Sequence, residues 1–160
     1  MVLDFAKPLE LHLADESIDR LIQESLAVVE TVAQARQVRI QSQFLGKIAP
    51  VPLDGMRIKQ ALINLVVNAV HASPEAETVM VACHQEQGRI VIDVRDLGSG
   101  IAKDRRELVF SPFFTTKKEG TGLGLPIVKK IAEAHDGSLE ILDNPDRGVT
   151  FRLILPFPHK

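Results

Sequence analysis

One cysteine stands in the whole chain, Cys83, and that scarcity removes two classes of protein at once. A lone thiol closes no disulfide framework and supplies too few ligands for a structural zinc cluster, so a reducing cytoplasm is the expected setting. An excess of either charge is lacking too: 19 basic and 21 acidic side chains leave a formal net charge of -2 and a pI near 6.2. Wrapping nucleic acid requires Lys and Arg to neutralise several phosphates together, and this balance offers no such footprint. No run approaches the roughly 18 to 20 consecutive apolar residues that span a bilayer, and no charged segment followed by an apolar core opens the chain. Internal repeats and low-complexity tracts are missing as well. What is present is 160 residues, 45% of them hydrophobic, enough to close one core but cramped for two domains.

Hydrophobic periodicity orders the chain. Met1 to Pro8 reads as the tail of an upstream element, because Pro8 disfavours helix at Lys7. Leu9, Leu11 and Leu13 alternate with polar or small residues, the period of a half-buried strand. Asp15 or Ser17 can then cap a helix whose apolar face runs through Ile18, Leu21, Ile22, Val29 and Ala33 to about Arg36. Val38 to Leu45 reads as a strand, followed by a loop containing Pro50 and Pro52. Asp54 opens a second helix to about Ala72, and Pro74 follows where that helix should stop. Thr78 to His84 and Arg89 to Arg95 flank Glu86-Gln87-Gly88 as a hairpin. Leu97 to Thr121 is irregular and rich in Gly, Ser, Thr, Lys and Phe, as functional loops are. Gly122 to about His135 predicts a third helix stopped by Gly137, and Ser138 to Leu142 with Val149 to Leu155 a closing strand pair joined through Asn144 to Gly148. This order suggests a mixed sheet with helices on one face.

Three polar clusters interrupt the apolar pattern. Asn64 and Asn68 sit four apart on the second predicted helix, so both amides emerge on one side. A buried amide without partners costs about 1 to 3 kcal/mol. Two readings are open: a pair of satisfied core amides, or a carbonyl oxygen offered to magnesium, a hard cation that prefers oxygen ligands. Asp96-Leu97-Gly98-Ser99-Gly100 ends a strand; it can serve as an ordinary Asx-capped turn, or its carboxylate can accept from the exocyclic amine of adenine. Gly120-Thr121-Gly122-Leu123-Gly124-Leu125 runs into a helix, where free N–H groups and the helix dipole suit a phosphate chain as well as a flexible cap. Between them, Phe110, Phe113 and Phe114 gather in a polar loop that ends in Lys117 and Lys118, able to meet phosphate as point charges or to stay solvated.

Taken in order, these segments resemble the N, G1, F and G2 boxes of sensor histidine kinase catalytic domains, within the superfamily that also holds gyrase, heat-shock chaperone and mismatch-repair ATPases. DGMRIKQALINLVVNAVHAS looks like the first box, DLGSG the second, FSPFFTTK the third and GTGLGLPIVKKIAEAHDG the fourth, over about Asp54 to Leu155. The resemblance implies a two-layer α/β (α+β) sandwich of the Bergerat type, a mixed and mostly antiparallel sheet of about five strands with about three helices on one face. It implies one ATP-binding catalytic domain over residues 9–160, with 1–8 as the end of an upstream dimerisation hairpin or linker.

The same resemblance assigns roles. Asn68 would coordinate Mg2+, with Asn64 beside it near the phosphates; Asp96 would hold the adenine amine, with Gly98, Gly100 and Ile101 shaping that wall. Thr116, Lys117, Gly120, Thr121, Gly122, Leu123, Gly124 and Leu125 would form the lid and phosphate cradle, Lys117 reaching the terminal phosphate. Thr150, in GVTF, would lie near the adenine. Asn64, His71 and Lys117 are the candidates nearest the chemistry, and His71 stands where some relatives carry Lys or Arg. ATP-hydrolysing members carry a glutamate at the position of Asn64, where it acts as general base; its absence favours phosphotransfer to a histidine, whose nitrogen is already nucleophilic. None of His12, His71, His84, His135 or His159 has the surroundings of a family acceptor. The expected partners are therefore ATP, a histidine-containing dimerisation domain outside this sequence and, indirectly, a response regulator receiver domain. Neither nucleic acid nor direct membrane contact is expected, and the chain would be cytoplasmic, on its own or as the cytosolic part of a membrane-bound sensor. The alternatives are a nucleotide-gated interaction module without phosphotransfer and a hydrolysing ATPase of the same superfamily.

Overall fold

Residues 9–106, 108–110 and 124–157 are described by the structure, a computed structural model. The chain enters through β1 (Ala14–Glu16) and turns into α1 (Ile18–Ala35), whose N-terminus is capped by the Ser17 hydroxyl accepting from the Arg20 N–H. Then come β2 (Arg39–Leu45), β3 (Val51–Leu53) and α2 (Gly55–Ala72), the last capped by Asp54, whose carboxylate accepts from the Arg57 N–H at 3.1 Å. β4 (Thr78–Glu86) and β5 (Arg89–Arg95) form a hairpin whose two turn residues, Gln87 and Gly88, both have positive φ, the geometry that matches strand twist. Two short 3₁₀ turns, Lys103–Arg105 and Leu108–Phe110, precede α3 (Gly124–Ala134), β6 (Ser138–Asp143) and β7 (Val149–Pro156).

The main sheet has the order β2-β4-β5-β7-β6. Among the described residues its only parallel pair is β2 with β4, and α2 lies within the crossover that such a pair requires. β1 and β3 make a separate two-stranded antiparallel ribbon. Alternation along β7 sends Val149, Phe151, Leu153 and Leu155 into the core and Thr150, Arg152 and Ile154 to the other face. The three α-helices lay their apolar stripes on the inward face: Ile18, Ile22 and Val29 from α1, Ile58, Leu62 and Leu65 from α2, Val128 and Ile131 from α3. Each large side chain so buried contributes about 1.5 to 3 kcal/mol. Across the outer face, Arg152 donates to both carboxylate oxygens of Asp93 at 2.8 and 3.0 Å. The sandwich, its mixed sheet and its helical layer are those expected from the sequence. No helix of the described residues is long and apolar enough to cross a membrane.

Two local expectations are corrected. The strand near the N-terminus is Ala14–Glu16 rather than Leu9 to Leu13, and Leu13 is 57% exposed. The segment holding Pro52, expected to be loop, forms β3, because its ribbon has open edges where the missing proline N–H is tolerated while Val51 and Leu53 are buried on either side.

Candidate functional site

Helix α2 carries Asn64 and Asn68 one turn apart, both half-buried, while Leu65, Val66, Ala69 and Val70 fill its core face. The Asn64 amide lies 3.5 Å from the carbonyl of Gly124, so this residue sits where α2 meets the first turn of α3. His71 occupies the last turn of α2, and its carbonyl accepts from the Arg36 guanidinium at 3.2 Å. This contact ties the end of α1 to the end of α2.

Asp96 follows β5 and is 2% exposed. Its Oδ1 accepts from the N–H groups of Gly98 and Val149 at 3.0 and 3.2 Å, and its own N–H donates to the Val149 carbonyl at 3.0 Å. Three bonds, two of them to the carboxylate, thus hold Asp96 at the boundary between β5 and β7. Gly98 then crosses the end of α2: a Cβ there would come within 2.5 Å of the Ala72 carbonyl oxygen, so a side chain would push the turn away. The Leu97 N–H donates to Ser73 Oγ at 3.2 Å, a second stitch between this turn and α2. The chain therefore brings the expected carboxylate turn against the helix that bears the expected amides. Gly100 has φ +85° and open space around it, and Ile101 is half-buried against the core.

Gly124 and Leu125 begin α3, and Leu125 packs on the core. Phe110, from the third motif, also packs on the core, and Lys129 of α3 stands 5.2 Å from its ring centroid, within cation–π range. Thr116, Lys117, Gly120, Thr121, Gly122 and Leu123 lie outside the described residues, as does the segment 1–8 assigned to an upstream hairpin. Thr150 is not brought to the Asp96 carboxylate. It sits on the outer face with Arg152, and its hydroxyl donates to Asn144 Oδ1 at 2.6 Å. The side chain inward at this point is that of Val149.

Sequence reasoning missed Asn144, Gly148, Ser73 and Arg106. Asn144 donates to the Asp96 carbonyl at 2.7 Å and to the Arg147 carbonyl at 3.0 Å. Gly148 has φ +80°, and a Cβ on it would meet Asp96 Oδ1 at 2.7 Å and the Asp96 carbonyl closer still. The signal available for both was the Asn-Pro-Asp-Arg-Gly turn itself, which explains a loop without revealing what the loop touches.

Among the described residues no group of three or more His, Cys, Asp or Glu could hold a metal ion. The side chains of Asn64 and Asn68 carry amide oxygens, a ligand type that magnesium accepts alongside phosphate oxygens.

A helix bearing paired amides, packed against a strand-end carboxylate and leading across to a glycine-started helix, is the arrangement of a nucleotide-binding ATPase domain. Residues 53–159 match the family described as histidine kinase-, DNA gyrase B-, and HSP90-like ATPase, and the chain belongs to that family. Within it the similarity runs to histidine kinases. The sensor histidine kinase ZraS of Salmonella typhimurium is 36% identical over 157 residues, which are 97% of this chain and 34% of ZraS. Among solved structures, the catalytic domain of histidine kinase ThkA is 32% identical with a TM-score of 0.84, the match covering 92% of this chain and 97% of that one. ThkA has also been solved in complex with the response regulator protein TrrA. Full-length ShkA in complex with AMPPNP is 28% identical with a TM-score of 0.86, over 98% of this chain and 34% of ShkA. The chain thus spans about a third of the length of ZraS and nearly the whole of the ThkA catalytic domain.

Proposed function

We propose that this chain binds Mg-ATP and presents its terminal phosphate to a histidine on a dimerisation domain of the parent protein. The observation that carries the reading is the buried Asp96 carboxylate, held by two N–H donors and set against the α2 end that follows Asn64 and Asn68. A carboxylate so fixed can accept from the exocyclic amine of adenine, and the absence of a side chain on Gly98 lets the turn sit close to α2. Asn68 is the amide that would offer its oxygen to magnesium, which, when bound, neutralises phosphate charge. Lys117 would meet the terminal phosphate, and the 120–125 glycine segment would cradle the chain of phosphates at the start of α3.

The reaction asks little covalent chemistry of this chain. An imidazole nitrogen of the partner histidine forms a bond to the terminal phosphorus, the bond to the bridging oxygen breaks, ADP leaves, and the ring proton passes to solvent. Positioning and charge neutralisation supply the acceleration. Asn64 is an amide and not a base, so water at its position is not activated; this supports transfer to a nitrogen nucleophile over hydrolysis. A response regulator would then take the phosphate from the histidine, a partner class supported by the ThkA complex with TrrA.

Calorimetry on Asp96→Asn provides the test. The variant is expected to lose measurable ATP binding while keeping the unfolding profile of the wild type; wild-type affinity in the variant overturns the assignment. Mixing the chain with a separately made dimerisation hairpin and labelled ATP is expected to give phosphohistidine, acid-labile and absent without the hairpin.

A further inference from the structure

The turn from Asp96 to Ile101 is anchored at both ends by two consecutive residues of one distant strand end. At its start, Asn144 Nδ2 donates to the Asp96 carbonyl at 2.7 Å. At its finish, the Ile101 carbonyl accepts from Arg106 Nε at 3.2 Å, and the same guanidinium is paired with the Asp143 carboxylate. Asp143 is the last residue of β6 and Asn144 is the next in chain. Between these anchors stand Gly98, Ser99 and Gly100, the last at φ +85°, a stretch with little stiffness of its own.

The Asn144 amide is used in full. Its two N–H groups go to the carbonyls of Asp96 and Arg147, and its oxygen accepts from the Thr150 hydroxyl at 2.6 Å. Two carbonyl oxygens on one side fix which end of the amide faces them, since only the NH2 end can serve both. Thr150, on the outer face of β7, therefore acts on Asp96 through Asn144.

We propose that Asp143 and Asn144 are positioning residues for the nucleotide base: together they set the span of the Asp96–Ile101 wall, Asn144 directly and Asp143 through Arg106. The proposal rests on the ATP-binding reading above and names what keeps its adenine wall in shape. Neither residue touches nucleotide. Asp143 is exposed and its ion pair with Arg106 is half in solvent, where screening leaves such pairs little effect on overall stability. Removing it should therefore show in base binding and not in unfolding.

The test measures ATP and ADP affinity of the chain by calorimetry, with the thermal midpoint of each variant alongside. Asn144→Ala is expected to weaken ATP and ADP by the same factor, roughly ten-fold, the loss of about one net hydrogen bond. Asp143→Ala and Arg106→Ala should each weaken both by roughly three-fold and, since they break one tether, the double variant should be no weaker than either. Asp143→Asn, which keeps an oxygen for Arg106, and Thr150→Ser, which keeps the hydroxyl, should bind as wild type, whereas Thr150→Val should fall toward Asn144→Ala. If Asn144→Ala does not fold, Asp143→Ala and Thr150→Val carry the test. Wild-type ATP and ADP affinity in those variants, with Asp96→Asn still abolishing binding, overturns the clamp and leaves the ATP reading standing. A loss for ATP without one for ADP places the effect at the phosphates and also overturns it. A wild-type chain that binds neither nucleotide overturns both.

Discussion

Gly148 shows how tightly a single position can be specified without chemistry of its own. Its φ of +80° already disfavours any side chain, and a Cβ would press on both the carboxylate and the carbonyl of Asp96. Gly148→Ala is therefore expected to destabilise by more than about 1 kcal/mol, opposite in sign to the gain that the same change brings at a compatible site, read by urea unfolding, and to lower ATP affinity in parallel. Unchanged affinity in a destabilised variant would mean that β7 yields and Asp96 does not. Cys83 makes the opposite case, a reactive residue type made inert. It is fully buried, and burial, with Asp19 and Asp93 adding negative charge nearby, pushes its thiol up to about 12. A thiol that is neutral at physiological pH and shielded from reagent does not alkylate. At pH 8 the folded chain should consume no thiol reagent over an hour, whereas the denatured chain should take up one equivalent; prompt labelling of folded protein would show that β4 opens. The sequence alone showed that Cys83 was solitary; its burial depended on which face of β4 met the helices.

At the scale of elements, the joint between α2, α3 and the incoming chain rests on two residues. Asp54 caps α2 through Oδ1, and its Oδ2 accepts from the His12 N–H at 3.0 Å. The Asp54 N–H donates in turn to Nε2 of His135, whose Nδ1 lies 2.9 Å from the Ile131 carbonyl. With one ring nitrogen accepting and the other facing a carbonyl, His135 is the Nδ1-protonated neutral tautomer in this arrangement. Asp54→Ala is expected to cost about 1 to 2 kcal/mol in unfolding, the usual loss for a helix cap. Burial opposes ionisation of Asp54, but the N–H groups of His12 and Arg57 outweigh it and hold the carboxyl below its ordinary range. A depressed folded pKa contributes stability above the unfolded value of about 3.9 and loses it as pH falls through the folded value. The stability gap between wild type and Asp54→Asn should hold from neutral pH to about pH 5 and narrow below about pH 4; a gap independent of pH would show that the cap works without its charge. The cap and the helices were legible because capping and 3.6-residue periodicity are local. β3 was not, since proline argues against a strand unless the edge is known to be open. Leu9 to Leu13 alternates as a strand does, yet the pairing went to polar Ala14–Glu16, opposite Val51–Leu53. Local pattern cannot say which of two adjacent segments a distant partner will meet.

For the whole molecule, the same distinction between local and distant information decides how much of the site could be read. Asp96, Gly98, Asn64 and Asn68 stand in short motifs, which the sequence carries without any distant contact. Asn144 lies 48 residues from the carbonyl it holds, and only closure of β6 and β7 beside β5 brings the two together. Thr150 stands in the GVTF pattern, and the strand period shows which way it faces: with Phe151 inward, its neighbour faces out and meets the Asp96 turn only through Asn144. The proposed site draws on the fold as a whole, on β5, the end of α2, the β6–β7 turn and the start of α3, and a ligand that bridges these elements should stabilise the whole chain. Binding to the native state alone adds RT ln(1 + [L]/Kd), about 2.7 kcal/mol at a ligand concentration of 100 Kd. For a chain of this size each kcal/mol moves the midpoint by roughly 2 to 4 °C. Saturating Mg-ATP is therefore expected to raise Tm by roughly 5 to 10 °C, measured by scanning calorimetry, and Asp96→Asn should abolish the rise. The clamp variant Asp143→Ala should keep the unliganded Tm and show a smaller rise at fixed ATP, because its affinity is lower while the exposed ion pair it removes contributes little to stability. A full rise in Asp96→Asn would mean that ATP is held by its phosphates alone, and the adenine wall built on β5 would lose its place in the function.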